Sequence, residues 1–389
     1  MRTKPGPKTL TGMLPPAGWL LTTLLASGVS AQTFEDQLAE YIREYPRQRT
    51  WQFATQFTGG DAARLNTWLI PGKPSLVRPG DDVFPRANND TFYQVAIVWL
   101  EEPVVLASTA ASRNRFSSFQ LQDERNANYR NIVFPEGEYT LYYGNLPNEI
   151  RGEAIRSPSR LSVVFARVEV RDPDDAADVG AARAVLEGMT ISGARPDEFP
   201  VSEISAEYSD AIIDAANRRM DEVFASVPFT ETIVGPGQQP GTDVAYLHHA
   251  AGTKNGFGGP DPAHSAYEAI LFDENGAAMF GRNGTYCVTT EEPEVDAFWS
   301  VTVYDTERGG FLHPNRHNKY HVNDTLAVRN ADGTVTFRFR QSCAVGAANC
   351  LEVPEGRFEI VTRYYLPGEQ IVSGEWTFPG IEFTSEAQE

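Results

Sequence analysis

The sequence predicts a mainly β protein with helical insertions, an α+β fold in which a helical segment joins two β-sandwich parts. Short runs rich in Val, Ile, Thr and aromatic residues recur across residues 91–171 and again across 243–389, as in the strands of a sandwich. The stretch 172–242 is instead rich in helix formers. A chain of 389 residues is also long enough for two domains.

The first 31 residues have the three parts of a secretory signal peptide. Basic residues precede an apolar run at 19–26, and Val29-Ser30-Ala31 carries small residues where signal peptidase cuts. We therefore expect cleavage after Ala31 and a periplasmic or secreted mature protein. The apolar run is short for a bilayer span, and an uncleaved anchor is the alternative. No later stretch is apolar for long enough, so we expect no membrane span after cleavage.

The mature chain would be strongly acidic. Residues 1–31 hold three Lys or Arg and no Asp or Glu, so their removal changes the formal net charge from −19 to −22. Such a surface repels phosphate backbones, which argues against a nucleic-acid partner. No nucleotide, metal-protease or nucleophile-elbow motif is present, and we expect no cofactor and no metal.

Residues 32–90 are predicted to be a helical region that ends in a loop. Apolar residues recur at helical spacing through 34–70, and prolines and glycines interrupt the stretch from 71 to 90. The first sandwich, 91–171, then contains the following strand-like runs: 92–100, 103–106, 116–123, 139–143 and 160–170.

The connector, residues 172–242, is predicted to contain two helices. They fit 176–189 and 205–226, and a Gly/Pro loop follows. The second sandwich, 243–389, includes hairpin-type turns at Asp273–Gly276 and Asn330–Gly333. Within it, Lys254–Pro260 is predicted to be a mobile loop.

The three cysteines have different predicted roles. Cys343 and Cys350 bracket a short run of small, turn-prone residues, and in an oxidising compartment we expect a disulfide between them. Cys287 lies in a strand-like run and is predicted to be a buried, inert thiol.

A polar cluster at the entrance to the first strand is the leading candidate site. Asn88, Asn89 and Asp90 are consecutive, and Tyr93 follows within the strand. Asn and Asp favour turns by bonding their own backbone, so a structural turn is one interpretation. The other is a cleft in which Asp90 acts as a general base while the asparagines donate hydrogen bonds to a ligand.

Two further carboxylates, Asp123 and Asp305, each end a predicted strand. If two such groups lay about 5–10 Å apart, they would suit acid–base glycoside hydrolysis. Arg167 and Arg363 interrupt apolar strands and would need either an ion pair with a residue such as Asp123 or Glu359, or a ligand to clamp.

The histidines give weaker indications. His313, His317 and His321 are four residues apart, but breakers lie between them. Solvated surface histidines are preferred to a metal site. The adjacent His248 and His249 would point to opposite faces of a strand.

Motifs in both halves point to one family. Arg86–Tyr93 is similar to an R-x-N-N-D-T-x-Y signature, and Phe298–Asp305 to an F-W-S-x-T-x-Y-D strand. Asn318-Lys319-Tyr320 is similar to an N-R-Y turn, and Arg363–Pro367 to an R-x-Y-x-P element. These motifs resemble the paired domain-of-unknown-function 1254 and 1214 family. The resemblance implies two β-sandwich, jelly-roll-like parts and no established reaction.

The sequence therefore predicts an exported protein with a site between the two β parts. The leading hypothesis is a hydrolase or lyase acting on a polar substrate such as a carbohydrate; the alternative is a non-catalytic ligand-binding or envelope-associated module. The oligomeric state stays open. The expected catalytic residues are Asp90, Asp123 and Asp305. The expected substrate-binding residues are Asn88, Asn89, Tyr93, Asn128, Trp299, Tyr304, Asn318 and Arg363.

Overall fold

A computed structural model describes residues 32–70, 76–81, 85–109, 114–202 and 207–384. The predicted signal peptide, residues 1–31, lies outside them. Strand accounts for 31% of the structure and helix for 24%, so the mainly β, α+β prediction is confirmed. Within the described ranges, no helix is both long and apolar enough to cross a membrane.

The N-terminal part contains one long helix followed by strands and a shorter helix. In chain order its elements are α1 (Phe34–Thr58), β1 (Thr91–Trp99), β2 (Val104–Ser108), β3 (Ser117–Asp123), β4 (Asn128–Val133), β5 (Gly137–Tyr142), β6 (Glu153–Arg156), β7 (Leu161–Glu169), α2 (Ala176–Glu187) and β8 (Met189–Gly193).

The rest of the chain begins with two helices and continues mainly as strands. Its elements are α3 (Asp210–Phe224), α4 (Asp243–Asn255), β9 (Ser265–Ile270), β10 (Thr285–Thr290), β11 (Val295–Asp305), β12 (Phe311–Leu312), β13 (His321–Asn323), β14 (Val335–Arg340), β15 (Cys350–Glu352), β16 (Phe358–Pro367), α5 (Glu369–Ser373) and β17 (Glu382–Thr384).

The N-terminal sandwich consists of two four-stranded sheets. The N-terminal inner sheet has the order β1-β7-β3-β4, and the N-terminal outer sheet has the order β6-β5-β2-β8. Apolar side chains of both sheets form one core, with Phe92, Phe119 and Val164 from the inner sheet against Leu106 and Leu141 from the outer. Alternation along each strand leaves the other face of the inner sheet for the rest of the protein.

The C-terminal sandwich repeats this arrangement. The C-terminal inner sheet has the order β12-β11-β16-β9, with β13 also paired to β11, and the C-terminal outer sheet has the order β15-β14-β10-β17. Trp299, Val301 and Tyr364 pack against Phe337 and Phe339 in the core between the two sheets. Both sandwiches belong to one compact unit that begins at Phe34.

Helices α1, α3 and α4 pack together beside the two inner sheets. Ile212, Ala216, Met220 and Phe224 are buried at four-residue spacing along α3, which gives this helix a continuous apolar stripe. Helix α4 begins where Thr242 Oγ1 accepts a hydrogen bond from Ala245 N at 3.2 Å. Phe224, the last residue of α3, borders the candidate site.

Two local predictions were wrong. His248 and His249 lie on α4 rather than on a strand, because the stretch after Thr242 has a side-chain cap and many helix formers. Strand β8 lies within the predicted helical connector and pairs with β2. The predicted helix 176–189 overlaps this strand only at Met189.

Other local predictions are confirmed. The hairpin turns close at Gly276 and Gly333, both with positive φ. Cys343 and Cys350 form a disulfide with a Cα–Cα distance of 6.0 Å. Cys287 is a free thiol on β10, but it is only half-buried.

Candidate functional site

Polar side chains of the two inner sheets face each other at their junction, beside an aromatic cluster of Phe116, Phe298 and Tyr365. On the N-terminal inner sheet Tyr93 lies opposite Arg167. On the C-terminal inner sheet Arg363 lies opposite Ser300 on one neighbouring strand and opposite Tyr267 on the other. Cross-strand partners share a face, so each inner sheet presents a buried arginine and at least one tyrosine at the junction.

The segment before β1 is inserted between the sheets. Asn88, Asn89 and Asp90 are 1%, 4% and 0% exposed, so they do not form a solvated turn. Asp90 Oδ2 accepts a hydrogen bond from the Ser300 hydroxyl, and the Tyr365 hydroxyl donates to Oδ1 at 3.5 Å. The Asn88 amide donates to the hydroxyl of Tyr365. Three consecutive polar residues thus bind groups of the C-terminal half.

Tyr304 and Arg363 fasten the same segment from the other side. The Tyr304 hydroxyl donates to the Ala87 carbonyl at 2.6 Å, and Arg363 Nη2 donates to Tyr304 Oη at 2.7 Å and to the Arg86 carbonyl at 2.8 Å. Burial raises the pKa of Tyr304, against the opposing effect of Arg363, so the phenol remains a donor. Burial lowers the pKa of Arg363, but interactions with Tyr304 and Asp90 outweigh it and the pKa is raised.

Arg86 has its own carboxylate. Its Nε lies 2.8 Å from Glu359 Oε1, and Nη1 donates to the Asn255 carbonyl at 2.6 Å. Glu359 is fully buried. The suggestion that Glu359 pairs with Arg167 or Arg363 was therefore wrong, because Arg86 reaches it from the loop before β1.

Arg167 is buried without such a partner. It is 4% exposed; Nη1 donates to Gln120 Oε1, and Nη2 donates to the Gly258 carbonyl at 3.2 Å. Its guanidinium carbon lies 5.1 Å from the centre of the Tyr93 ring. Among the described residues no carboxylate lies within 4.0 Å of this guanidinium, and Nε has no hydrogen-bond partner.

A recess opens beside Arg167. Tyr93, Asn88, Tyr267 and Phe224 line it together with the loop 256–259. Its volume is about 450 Å³ including the open mouth. The enclosed part is much smaller, about 30 Å³, and has room for about two water molecules. In this conformation only a small chemical group fits at the inner end.

Glycine fixes the loop that covers Arg167. Gly258 has a φ of +80°, and a Cβ added there would lie 2.8 Å from the Phe165 ring. Both facts disfavour any other residue. The carbonyls of Gly258 and Gly259 accept hydrogen bonds from Gln120 Nε2 at 3.2 and 2.9 Å. The segment predicted to be a mobile loop is therefore a buried part of the site.

Asp123 and Asn128 lie apart from the recess, beside a separate groove. Asp123 Oδ1 accepts hydrogen bonds from the backbone N–H groups of Arg125 and Ala127 at 2.8 and 3.0 Å. Burial raises the pKa of Asp123, against the effect of these bonds. Asn128 is buried, and its Oδ1 accepts from Gln120 Nε2 at 2.6 Å. Gln120 thus joins Asn128 to Arg167.

The remaining predicted residues are not part of the junction. Side chains alternate along β11, so Trp299 and Asp305 lie on the opposite face from Ser300 and Tyr304. Trp299 packs in the C-terminal core. Asp305 Oδ1 accepts from Arg308 N at 3.1 Å, so the structure does not bring Asp305 to Asp90. Asn318 occupies a turn with a φ of 51°.

Sequence reasoning missed several residues of the junction. Ser300 and Thr302 alternate with apolar residues along β11, and this alternation was the available signal. His321 was predicted to be on the surface but is 2% exposed, and its Nδ1 donates to Asn89 Oδ1 at 2.9 Å. Burial lowers the pKa of His321. Within the described ranges, no three His, Cys, Asp or Glu side chains converge as metal ligands.

The fold resembles that of solved structures. The VPA0106 protein from Vibrio parahaemolyticus superposes with a TM-score of 0.67 at 18% identity, covering 89% of this chain and 98% of that one. A putative uncharacterized protein from Burkholderia cenocepacia gives a TM-score of 0.47 at 14% identity, covering 92% and 91%. No curated protein matches the sequence.

Two family models match the sequence, one in each half. Residues 71–192 match the family model DUF1254, and residues 264–369 match the family model DUF1214. Each model is described as a protein of unknown function. The first match ends in β8, which agrees with the pairing of β8 in the N-terminal sandwich. Because both models match in this order within one chain, the protein belongs to the family that pairs a DUF1254 domain with a DUF1214 domain.

Proposed function

We propose that this protein is a binding protein for a small carboxylate, which it holds in the recess between its two β parts. The observation that carries the proposal is the buried guanidinium of Arg167, which has no carboxylate partner among the described residues and has an unused Nε. A charge removed from water is costly unless an opposite charge accompanies it. A bound anion would supply that charge.

The other charges of the recess do not compensate Arg167. Arg86 is paired with Glu359, and Asp90 interacts electrostatically with Arg363. Glu268 also borders the recess, but it follows Tyr267 on β9, so its side chain lies on the other face of the sheet. There Glu268 Oε2 accepts from Phe378 N at 3.1 Å. Burial raises the pKa of Glu268, which favours its neutral form.

The shape of the recess suits a small, flat anion. A guanidinium binds a carboxylate through parallel hydrogen bonds in one plane. The Asn88 amide donates a hydrogen bond to the Tyr267 hydroxyl at 3.4 Å, which holds both side chains in place at the edge of the recess. Phe224 and Phe229 form an apolar wall, so a carboxylate on a short hydrocarbon matches the lining better than a highly charged phosphate.

Binding is better supported than hydrolysis. Asp90 is fully enclosed, and its two oxygens already interact with Ser300 and Tyr365. A general base must reach a substrate proton or a water, and this carboxylate has neither access nor the expected partner, Asp305. Hydrolase or lyase activity stays a prediction from the sequence.

Calorimetric titration with acetate and lactate, and with acetamide as the neutral analogue, tests the proposal. Wild-type protein should bind the carboxylates and not acetamide. Arg167→Met should weaken binding by at least about 30-fold, which corresponds to loss of a buried charged partner. Arg160→Met is the matched control, because Arg160 is exposed and stacks on Tyr143 outside the recess. Unchanged binding by Arg167→Met, or no carboxylate binding by the wild type, would refute the proposal.

We also propose that the protein is exported to the periplasm or beyond the cell. The signal-like sequence of residues 1–31 supports this. The Cys343–Cys350 disulfide supports it independently, since disulfides persist in oxidising compartments. N-terminal sequencing of protein recovered from the periplasm of a bacterial host should give Gln32 as the first residue. Recovery of full-length protein from the cytoplasm alone would contradict export.

A further inference from the structure

A second concave site lies where four elements meet on the other side of Gln120. Its walls are α1, the turn between β3 and β4, the loop 234–240 and α4. The groove has a cavity volume of about 410 Å³, which is within the range of small-molecule sites. The two predicted residues Asp123 and Asn128 border it, although the proposed carboxylate site does not use them.

The charges around the groove are balanced. Arg125 Nη2 lies 2.9 Å from Glu44 Oε1, and Arg43 Nη2 lies 2.7 Å from Asp243 Oδ1. Of the charged residues that line the groove, Arg43 and Arg125 are basic and Glu44 and Asp123 are acidic, so their formal charges balance. The groove therefore differs in kind from the recess at Arg167 and favours a neutral, polar ligand.

Asp123 is held with one oxygen in use and the other available. Both backbone N–H groups that it binds, from Arg125 and Ala127, are directed at Oδ1. Oδ2 takes part in neither of these bonds. It does not belong to the fully enclosed side-chain atoms that lack a hydrogen-bond partner. Its rigid position on a β-turn suits a group that accepts hydrogen bonds from ligand hydroxyls.

Two tyrosine rings border the same space. The Tyr129 hydroxyl is 2.9 Å from Ser162 Oγ, which fixes the ring. Tyr246, on α4, is half-buried, and the Arg43 guanidinium lies over one face of its ring, 5.7 Å from the centroid. Gln239 is exposed at the rim. Aromatic rings beside a fixed carboxylate match the alternating C–H and hydroxyl surfaces of a sugar ring.

We propose that this groove binds a neutral saccharide, with the Tyr246 ring against a sugar face and Asp123 Oδ2 accepting hydrogen bonds from sugar hydroxyls. The site is separate from the carboxylate site and does not depend on it. Asn128 belongs to the supporting wall, because its amide donates to the Val234 and Gly259 carbonyls and its Oδ1 accepts from Gln120.

A glycan array, followed by calorimetric titration with maltose, cellobiose and N,N′-diacetylchitobiose, tests this proposal on the mature protein. At least one neutral saccharide should bind. Tyr246→Ala and Asp123→Asn should each weaken that binding by about tenfold, whereas Tyr246→Phe should retain it. The asparagine variant keeps the carbonyl that caps the turn, so folding is expected to survive.

Asp332→Asn is the matched control. Asp332 also caps a turn, with Oδ1 accepting from Thr334 N at 3.0 Å, but it lies in the β14 hairpin outside the groove. It should leave saccharide affinity unchanged. If Asp123→Asn unfolds, as judged by circular dichroism, the Tyr246 pair decides alone. The proposal is overturned if no neutral saccharide binds, if only acidic saccharides bind, or if Tyr246→Ala keeps wild-type affinity.

Discussion

The hydroxyl of Ser300 donates a hydrogen bond to Asp90 Oδ2, although 210 residues separate the two in the chain. One residue belongs to the DUF1254 match and the other to the DUF1214 match. The bond crosses the junction of the two sandwiches, where both residues are 0% exposed. The family motifs of the two halves are thus hydrogen-bonded to each other.

Asp90→Asn should destabilise the fold. The substitution keeps the shape of the side chain but removes the negative charge that interacts with buried Arg363. We expect the free energy of unfolding to fall by about 2 kcal/mol, since a buried charge loses its counter-charge. Urea denaturation measures the change, and Asp197→Asn, at an exposed position, is the control. Equal stability of Asp90→Asn and wild type would show that Arg363 does not depend on Asp90.

Tyr304→Phe should weaken the attachment of the segment before β1. It removes the hydroxyl that donates to the Ala87 carbonyl and accepts from Arg363. The buried Ala87 carbonyl loses this donor and Arg363 Nη2 keeps only its bond to the Arg86 carbonyl, so a loss of about 2 kcal/mol is expected. Tyr143→Phe is the comparison, because Tyr143 is 43% exposed. Similar urea midpoints for the two variants would argue against the role assigned to Tyr304.

Much of the local structure could be predicted because neighbouring residues determine it. The four-residue spacing of Ile212, Ala216 and Met220 specifies helix α3. Asn330–Gly333 specifies a hairpin turn. The disulfide joins cysteines only seven residues apart. In each case the deciding interaction lies within a few turns of chain.

The candidate site depends on contacts between distant parts of the sequence. A strand such as β3, with Gln120 and Gln122 on one face, is typical of a sheet open to solvent. Here the loop 256–259 covers that face, and its carbonyls accept the glutamine amides. Nothing near Gln120 in the sequence indicates such a cover. By contrast, the alternation of side chains along β11 is visible in the sequence, and it predicts that Ser300 and Tyr304 lie on the opposite face of the strand from Asp305.

Stability should depend on pH through Asp324. Burial first, and then the nearby Glu169 carboxylate, raise its pKa from 3.8 to about 6. The folded protein therefore holds a proton that the unfolded chain releases, and the free energy of unfolding should fall as the pH rises from about 4 to about 6. Asp324 is partly exposed, so we expect a loss of only about 1 kcal/mol.

Asp324→Asn separates this effect from other titrations. The variant should be more stable than wild type above about pH 6, and its stability should vary less between about pH 4 and 6. Urea denaturation across this range provides the comparison. A variant whose stability follows the wild-type pH profile would show that Asp324 does not titrate there.

Opening the Cys343–Cys350 disulfide should lower stability. The bond closes a short loop before β15. Removing a cross-link that closes a loop of this size lowers the free energy of unfolding by about 2 kcal/mol. Reductant should lower the thermal midpoint of wild type and of Cys287→Ser, but not that of a Cys343→Ser/Cys350→Ser variant. An equal effect of reductant on the double variant would assign the change to something other than this bond.

Gln120 and Arg167 should be coupled energetically. Its Oε1 accepts from Arg167, and its Nε2 donates to Asn128 Oδ1 at 2.6 Å. Gln120→Leu would leave these buried groups without partners, so we expect a loss of about 2 kcal/mol. In an Arg167→Met background the guanidinium that donates to Gln120 Oε1 is already absent. Gln120→Leu should then lower the free energy of unfolding by about 1 kcal/mol less than it does in the wild type. Urea denaturation of the wild type, the two single variants and the double variant gives the coupling energy. A second cycle, in which Gln370→Leu at an exposed position replaces Gln120→Leu, is the control and should be additive. Losses that add within about 0.3 kcal/mol would mean that Arg167 and Gln120 act independently.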